Sequence, residues 1–251
     1  MSDNKTIALV TGASSGMGLE FCRQLAARCD VIIAVARRIE RLQALAAELS
    51  GACEVHPVQA DLTSVEGVAH TMEMLRQKGP VNILVNNAGF TAYGEFTAAP
   101  IEQQRSMLKL HCDATITLCR AAIPFMQELG GGSIINVSSL GSFMPGPGLA
   151  VYGASKAFLN SFSQGLQAEL AGTGIQVQVL CPGMVRTEIF EPMKEQGFDT
   201  AAFGQELWMQ SADMVAASLT ALGGEDLFVI PGEGNLDLAR QGIQGLLDSL
   251  G

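Results

Sequence analysis

Short apolar runs alternate with stretches of helical periodicity along most of the chain. Residues 7–10 (Ile-Ala-Leu-Val) form the first run and a glycine-rich turn follows. Leu19, Phe21, Cys22, Leu25 and Ala26 then recur at the spacing of a helix over 19–28. Val31–Ala36 is a second unbroken run. Leu42, Leu45, Ala46 and Leu49 repeat at i, i+3, i+4 and i+7 within a predicted helix Ile39–Leu49. Runs without polar alternation predict strands buried on both faces, as in a parallel sheet.

The rhythm continues. Further strands are predicted over 55–58, 83–85, 133–137, 176–180 and 227–230, with helices over 104–129, 149–171 and 211–222. Thr63-Ser64-Val65-Glu66 has the spacing of a capping box ahead of a helix ending at Gln77. Residues 188–209 are less regular and rich in Phe and Met, and 236–250 form an amphipathic, Gly-spotted tail. Alternating strands and helices imply right-handed βαβ units. The expected fold class is α/β: a doubly wound parallel sheet of about seven strands with helices on both faces, in one domain spanning 1–251.

Composition narrows the partners. Of 251 residues, 48% are apolar and 16% charged, which excludes a disordered chain. A formal charge of −10 argues against a nucleic-acid partner, which calls for a basic patch. No run approaches the ~18 apolar residues of a transmembrane helix, and the opening MSDNKTIALVTG passes from a polar tip straight into a strand rather than a secretory signal. Six cysteines (Cys22, Cys29, Cys53, Cys112, Cys119, Cys181) with no C-x-x-C pair read as reduced thiols of a cytoplasmic protein. His56 and His70 lack metal-ligand spacing, so no metal is expected.

Candidate chemistry begins after the first strand. Thr11-Gly12-Ala13-Ser14-Ser15-Gly16-Met17-Gly18 joins strand to helix. Gly12 permits a tight turn, Gly16 a close approach to a pyrophosphate, and Gly18 close packing of the helix, whose N-terminal amides face the anion. An ordinary βα turn remains the plain alternative. Gly12-Ala13-Ser14-Ser15-Gly16 also fits the G-x-S-x-G elbow of α/β-hydrolases. That reading needs a histidine late in the chain, whereas the last one is His111.

Further motifs follow in order: Asp61-Leu62 after the third strand, Asn86-Asn87-Ala88-Gly89 after the fourth, Ser139 after the fifth, Tyr152-x-x-x-Lys156 in the next helix, and Pro182-Gly183-x-Val185-x-Thr187 after the sixth. Together with the glycine loop they make the chain resemble the short-chain dehydrogenase/reductase family over nearly its whole length. The resemblance implies a Rossmann-like fold and an enzyme that moves hydride between a nicotinamide dinucleotide and a carbonyl or alcohol. It implies a cofactor cradle of Gly12, Ser14, Ser15, Gly16, Met17, Gly18, Asp61, Leu62, Asn87, Ala88, Gly89, Tyr152, Lys156, Pro182, Gly183, Val185 and Thr187. A 3-oxoacyl reductase is the nearest alternative enzyme. A nucleotide-sensing regulator is the non-enzyme alternative, one that has no use for Ser139, Tyr152 and Lys156.

Tyr152 and Lys156, four apart, share one helix face. Bringing a phenol from pKa ~10 to neutrality takes ~4 kcal/mol of preference for the phenolate, which a nearby ammonium and an oxidised nicotinamide can supply. A surface i,i+4 pair is the bland alternative. By resemblance, Tyr152 handles the proton, Ser139 bonds the substrate oxygen and Lys156 grips the nicotinamide ribose. Where relatives carry a water-holding asparagine this chain has His111, read either as part of a proton relay or as a packed helix residue.

The second strand ends Ala36-Arg37-Arg38, with no acid for a ribose 2′-hydroxyl and two guanidiniums for a 2′-phosphate. NADP(H) is therefore expected over NAD, although Ser15 stands where some NADP-preferring relatives carry another basic residue. Residues 90–93, 140–149 and 184–209, with Phe190, Met193, Phe198, Phe203, Leu207 and Trp208, are the candidate lining for a small apolar carbonyl or alcohol. Residues 184–210 are a candidate lid, with Gly183 and Gly197 as the glycines that could flank it. Apolar faces of the two long helices, with Leu159, Phe162 and Leu166 on the second, are a candidate homodimer or homotetramer contact.

Overall fold

The computed structural model describes residues 5–250. In chain order, β1 (Ile7–Thr11), α1 (Gly16–Leu25), β2 (Val31–Ala36), α2 (Ile39–Leu49), β3 (Glu54–Gln59), α3 (Val65–Lys78) and β4 (Ile83–Asn86) make the first half. The second half begins with α4 (Ile101–Leu108), a π turn (Lys109–Asp113) and α5 (Ala114–Glu128) in one continuous helical run, then β5 (Gly132–Val137), α6 (Ala150–Glu169) and β6 (Ile175–Leu180). Short elements β7 (Met184–Val185), α7 (Phe190–Glu195) and β8 (Trp208–Met209) precede α8 (Ser211–Ala221), β9 (Phe228–Val229) and α9 (Glu233–Asp248).

Seven parallel strands pair in the order β3-β2-β1-β4-β5-β6-β9. Alternation along each strand sends side chains to two cores. Ala8 and Val10 of β1 pack with Phe21 and Leu25 of α1, Leu42 and Leu45 of α2, and Met214 and Leu219 of α8. Ile7 and Leu9 pack on the other face with Leu75 of α3, Leu118 and Met126 of α5, and Val177 of β6. Each large apolar side chain buried this way contributes roughly 1.5–3 kcal/mol. The fold is a single Rossmann-like domain, and the chain crosses from one half of the sheet to the other between β1 and β4, opening a crevice at their carboxyl ends.

Several boundaries differ from the periodicity. α1 begins at Gly16 rather than 19, so the glycine loop supplies its first turn. The α3 cap is Ser64, whose hydroxyl accepts the Gly67 N–H at 3.0 Å, while Thr63 bonds Asp61 instead. The expected capping box is therefore displaced by one residue, and Glu66 is not at its third position. β3 is a partly exposed edge strand carrying Pro57, the place in a sheet that tolerates a missing N–H. The irregular stretch 188–209 holds α7, two 3₁₀ turns and β8, which pairs with β7.

Candidate active site

The glycine loop and the Asn86–Gly89 turn are locked to each other at the crevice. Gly12 sits at φ +70°, and a Cβ there would lie 2.7 Å from Asn87 Nδ2 and 2.9 Å from the Ala88 Cα, so both conformation and space require glycine. The Thr11 hydroxyl accepts the N–H groups of Asn87 and Ala88, each at 2.9 Å, and Asn87 Nδ2 donates to the Thr11 carbonyl at 2.8 Å. The Asn87 amide is thus a tie between strand ends. Gly18 lies behind the loop, where a Cβ would strike the Gly12 carbonyl, and it does not line the cleft. Its part in the expected cofactor cradle is packing.

The first turn of α1 is open. Ser15 is its N-cap residue, yet its side chain makes no capping bond and instead accepts from Arg38 Nη2 at 2.7 Å. The first α1 bond runs from Leu19 N–H to the Ser15 carbonyl, at 3.3 Å, which leaves the amides of residues 16–18 without intrahelical partners. Three amides without a partner among the described residues and the positive end of a helix make an anion seat. Ser14 Oγ accepts from Arg38 Nε and Nη2 at 3.2 and 3.1 Å. Its hydroxyl thus pairs with a cation that cannot act as a base, which removes the basis for a nucleophile elbow.

One continuous cleft of about 790 Å³ runs from this seat in both directions. At one end it is lined by Ser14, Ser15, Arg37, Arg38, Asp61 and Leu62. Asp61 Oδ1 accepts the Thr63 N–H and hydroxyl at 3.0 and 2.8 Å, and these bonds hold its carboxyl below the usual range. Its second oxygen is open among the described residues. Gly12, Gly16, Met17, Asn87, Ala88, Gly89, Pro182, Gly183, Val185 and Thr187 line the middle, where the Thr187 methyl stands over Gly16. The residues present suit a dinucleotide: amides for a pyrophosphate, arginines at one end, a proton donor at the other.

Ser139, Tyr152 and Lys156 converge at that other end. Lys156, only 5% exposed, donates from Nζ to the Val137 carbonyl at 2.9 Å and lies 5.9 Å from the centre of the Tyr152 ring. Burial lowers its pKa from 10.5 to about 8. Burial also raises the Tyr152 phenol, and hydrogen bonds to Ser139 and Thr91 lower it by less. The expected depression of Tyr152 by the ammonium is therefore absent from the protein alone, because Nζ is drawn to a backbone carbonyl rather than to the phenol. Ser139 Oγ accepts the Gly141 N–H at 3.1 Å, which leaves its own proton for another acceptor.

His111 lies in the π turn, 1% exposed, with both ring nitrogens engaged. Nε2 accepts the Phe90 N–H at 3.3 Å, so Nδ1 carries the proton and donates it to Ser155 Oγ at 2.9 Å. The Ser155 hydroxyl in turn donates to the Tyr152 carbonyl at 2.7 Å. Burial, with Lys156 nearby, holds the imidazole well below its ordinary pKa. On the Nε2 side the ring faces only a backbone N–H, which does not exchange its proton in turnover.

Beyond Tyr152 the cleft turns apolar, lined by Leu110, Met144, Leu149, Phe190, Phe198 and Phe203. Phe198 lies 5.1 Å from the Tyr93 ring and 5.6 Å from Phe203, and the Tyr93 N–H donates to Gln196 Oε1 at 2.8 Å. Tyr93 and Trp208 do not line the cleft. Trp208 backs Phe190 at 5.4 Å and takes the Arg186 guanidinium over its ring at 5.2 Å. Two participants escaped the sequence reading, Ser155 and the Val137 carbonyl, while Thr91 and Glu188 fell inside the expected lining without a role of their own. A backbone carbonyl carries no sequence signal. Ser155 stands one residue before Lys156, and its partner is 44 residues away.

Comparison with known proteins agrees with this layout. The family model for short chain dehydrogenase matches residues 6–197. An uncharacterized oxidoreductase of Staphylococcus epidermidis is 33% identical over 217 residues, covering 86% of this chain and 90% of that protein. A short-chain dehydrogenase from Sphingobium yanoikuyae, solved in complex with NADPH, superposes with a TM-score of 0.82 at 35% identity, over 96% of this chain and 95% of that one. A Comamonas testosteroni alcohol dehydrogenase described as specific for bulky-bulky ketones superposes with a TM-score of 0.80 at 31% identity, over 97% and 94%. Motif order, sheet topology and these likenesses agree: the chain belongs to the short-chain dehydrogenase family, oxidoreductases acting on CH–OH groups.

Proposed function

We propose that this oxidoreductase interconverts an apolar ketone or aldehyde and its alcohol with NADP(H) as redox partner. The observation that carries the reading is the convergence of Ser139, Tyr152 and Lys156 on one cleft that has an anion seat at its middle and arginines at its far end. Bound there, the dinucleotide supplies or receives the hydride. The α1 amides would hold its pyrophosphate, Arg37 and Arg38 a 2′-phosphate, Asp61 the adenine edge, and Lys156 the nicotinamide ribose. The NADPH bound in the Sphingobium relative supports this choice.

Tyr152 gives its phenolic proton to the carbonyl oxygen, and the Ser139 hydroxyl donates a hydrogen bond to the same oxygen. The raised phenol pKa suits that direction, because the group must be protonated to act as the acid. His111 serves as a neutral brace, pinning the Phe90 turn to the helix turn that carries Tyr152 and Lys156. Residues 184–210 close over an apolar substrate, whose water-excluded carbonyl feels each nearby dipole more strongly. The specificity of the Comamonas relative for bulky ketones fits a pocket built from Phe190, Phe198 and Phe203.

On the outer side of α6, the Phe158 and Phe162 rings stack at 5.8 Å over a shallow hollow shared with Leu166, and a second copy would cover it. Leu159 belongs to the core instead, at 2% exposed. A panel of aliphatic and aryl ketones, aldehydes and a 3-oxoacyl thioester with NADPH, followed by nicotinamide absorbance, tests the function. Turnover that depends on the Tyr152 hydroxyl is expected. A Tyr152→Phe enzyme that keeps wild-type rates would overturn it.

A further inference from the structure

Arg38, at the end of the cleft opposite Tyr152, is bonded through all three of its guanidinium nitrogens. Its Nε and Nη2 donate to Ser14 Oγ at 3.2 and 3.1 Å, Nη2 also donates to Ser15 Oγ at 2.7 Å, and Nη1 meets Glu188 Oε2 at 2.9 Å. Arg41 Nη1 takes the same carboxylate at 2.8 and 3.1 Å. Arg37, by contrast, has no side-chain hydrogen bond or ion pair among the described residues. Glu188 also lines the cleft and follows Thr187, whose methyl stands over Gly16 of the anion seat. The two arginines hold its carboxyl below its usual range, so it is ionised at neutral pH.

We infer that Glu188 is a specificity-determining residue that competes with the 2′-phosphate of the dinucleotide for the Arg38 guanidinium. This rests on the reading of Arg37 and Arg38 as a 2′-phosphate site. A carboxylate and a phosphate are alternative partners for the same donors of one guanidinium. Nε and Nη2 are committed to Ser14 and Ser15, so Glu188 sits on Nη1, the nitrogen left to face another anion. A 2′-phosphate bound to Arg37 that also reaches for Arg38 would have to share Nη1 with that carboxylate or displace it onto Arg41. A ribose 2′-hydroxyl makes no such demand. Glu188 therefore penalises the phosphorylated cofactor selectively and sets preference below what two arginines alone would give. Arg38, Glu188 and Arg41 side chains are 42%, 55% and 47% exposed, so the effect is that of solvent-screened charges.

Dissociation constants of NADPH and NADH, read from nicotinamide fluorescence without substrate, test this in wild type, Glu188→Gln and Glu188→Gln/Arg38→Ala. Glutamine keeps the size of an exposed side chain and removes the charge. Glu188→Gln is expected to bind NADPH about 3–10-fold more tightly, the scale of one or two exposed charge pairs, with NADH moving less than twofold. The gain should disappear in the double variant and shrink in high salt. Equal gains for both cofactors would overturn the inference, since they would report a general field on the pyrophosphate. Weaker NADPH binding would overturn it too, by showing that Glu188 orients Arg38 for the phosphate. An NADPH to NADH ratio left unchanged by both Arg37→Ala and Arg38→Ala would sink the reading of the arginines as a phosphate site, and the Glu188 inference with it. A ratio that falls in those variants but does not rise in Glu188→Gln would overturn the inference alone.

Discussion

His111 Nδ1 and Ser155 Oγ lie 2.9 Å apart, and this bond joins the π turn to the helix segment carrying Tyr152 and Lys156. The bond is buried and burial holds the imidazole well below its ordinary pKa, so on the reading proposed above it acts by position. His111→Ala should cost roughly 2–4 kcal/mol, from lost packing and from a partly buried Phe90 N–H left unpaired. It should lower kcat by moving Tyr152, with no apparent pKa near 6–7 appearing or disappearing from the pH–rate profile. Thermal melts and pH profiles of His111→Ala and His111→Asn check both parts. A limb near pH 6.5 present in wild type and absent from both variants would restore the relay.

Lys156 has a functional cost in stability. Its folded-state pKa of about 8 lies below the ordinary 10.5, so folding works against the proton. Between those two pH values the unfolded chain binds more protons, and stability rises with pH; below 8 the full penalty, on the order of 3 kcal/mol, is present. Lys156→Met keeps the aliphatic stem and deletes the charge. It should raise the Tm of the cofactor-free protein at pH 7 by several degrees, flatten the rise between pH 8 and 10, and abolish turnover. Calorimetry at pH 7 and pH 9.5 reads this, and a variant less stable than wild type at pH 7 would refute it.

The same two groups set opposite pH dependences for the two reaction directions. The buried phenol stays protonated through neutral pH, and the ammonium is lost as pH rises through about 8. kcat/KM for NADPH reports the free enzyme and should fall above pH 8 as Lys156 neutralises. Alcohol oxidation needs the phenol to accept a proton and should climb over the same alkaline range. Parallel profiles for the two directions would contradict the assignment of Tyr152 as the proton donor and acceptor.

The sheet was largely legible because parallel strands such as β1 and β2, covered by helices on both faces, must be continuously apolar. The Gly12 and Tyr152–Lys156 motifs were legible because each needs a fixed local spacing. What was hidden is long-range or local in energy. The π turn around His111 has no sequence period of its own. β3 was placed correctly, yet its edge position came only from pairing. The ammonium's choice of the Val137 carbonyl over the phenol also depends on packing, and in the protein alone burial lifts the phenol above its ordinary pKa. The segment after Glu188 has its order in aromatic contacts rather than in backbone periodicity.

Arg37 lines the cleft and has no ion-pair partner among the described residues. Arg37→Ala should weaken NADPH binding about tenfold, as expected for loss of one charge-assisted contact of ~1.5 kcal/mol, and leave NADH within twofold. Cofactor titrations at low and physiological salt measure it. An unchanged NADPH to NADH ratio would remove Arg37 from the phosphate site.

Phe198 ties the substrate side together. It contacts the rings of Tyr93, Phe203 and Phe190 at 5.1, 5.6 and 6.2 Å, while Gln196 holds the Tyr93 backbone. Phe198→Ala removes apolar pocket surface and the clasp between α7 and the segment after Phe90. kcat/KM for a bulky aryl ketone should fall by roughly 10–100-fold, the equivalent of ~1.5–3 kcal/mol of lost burial, with NADPH affinity unchanged. Lys194 provides a readout independent of turnover, because it stands exposed within α7 and trypsin cuts after lysine. Cleavage there should slow when wild type is saturated with cofactor and a ketone, since a lid that closes withdraws its backbone from the protease. In Phe198→Ala the cleavage should be fast and insensitive to ligand. Wild-type cleavage that ignores both ligands would show that residues 184–210 are a fixed wall of the pocket, with Phe198 contributing surface but no closure.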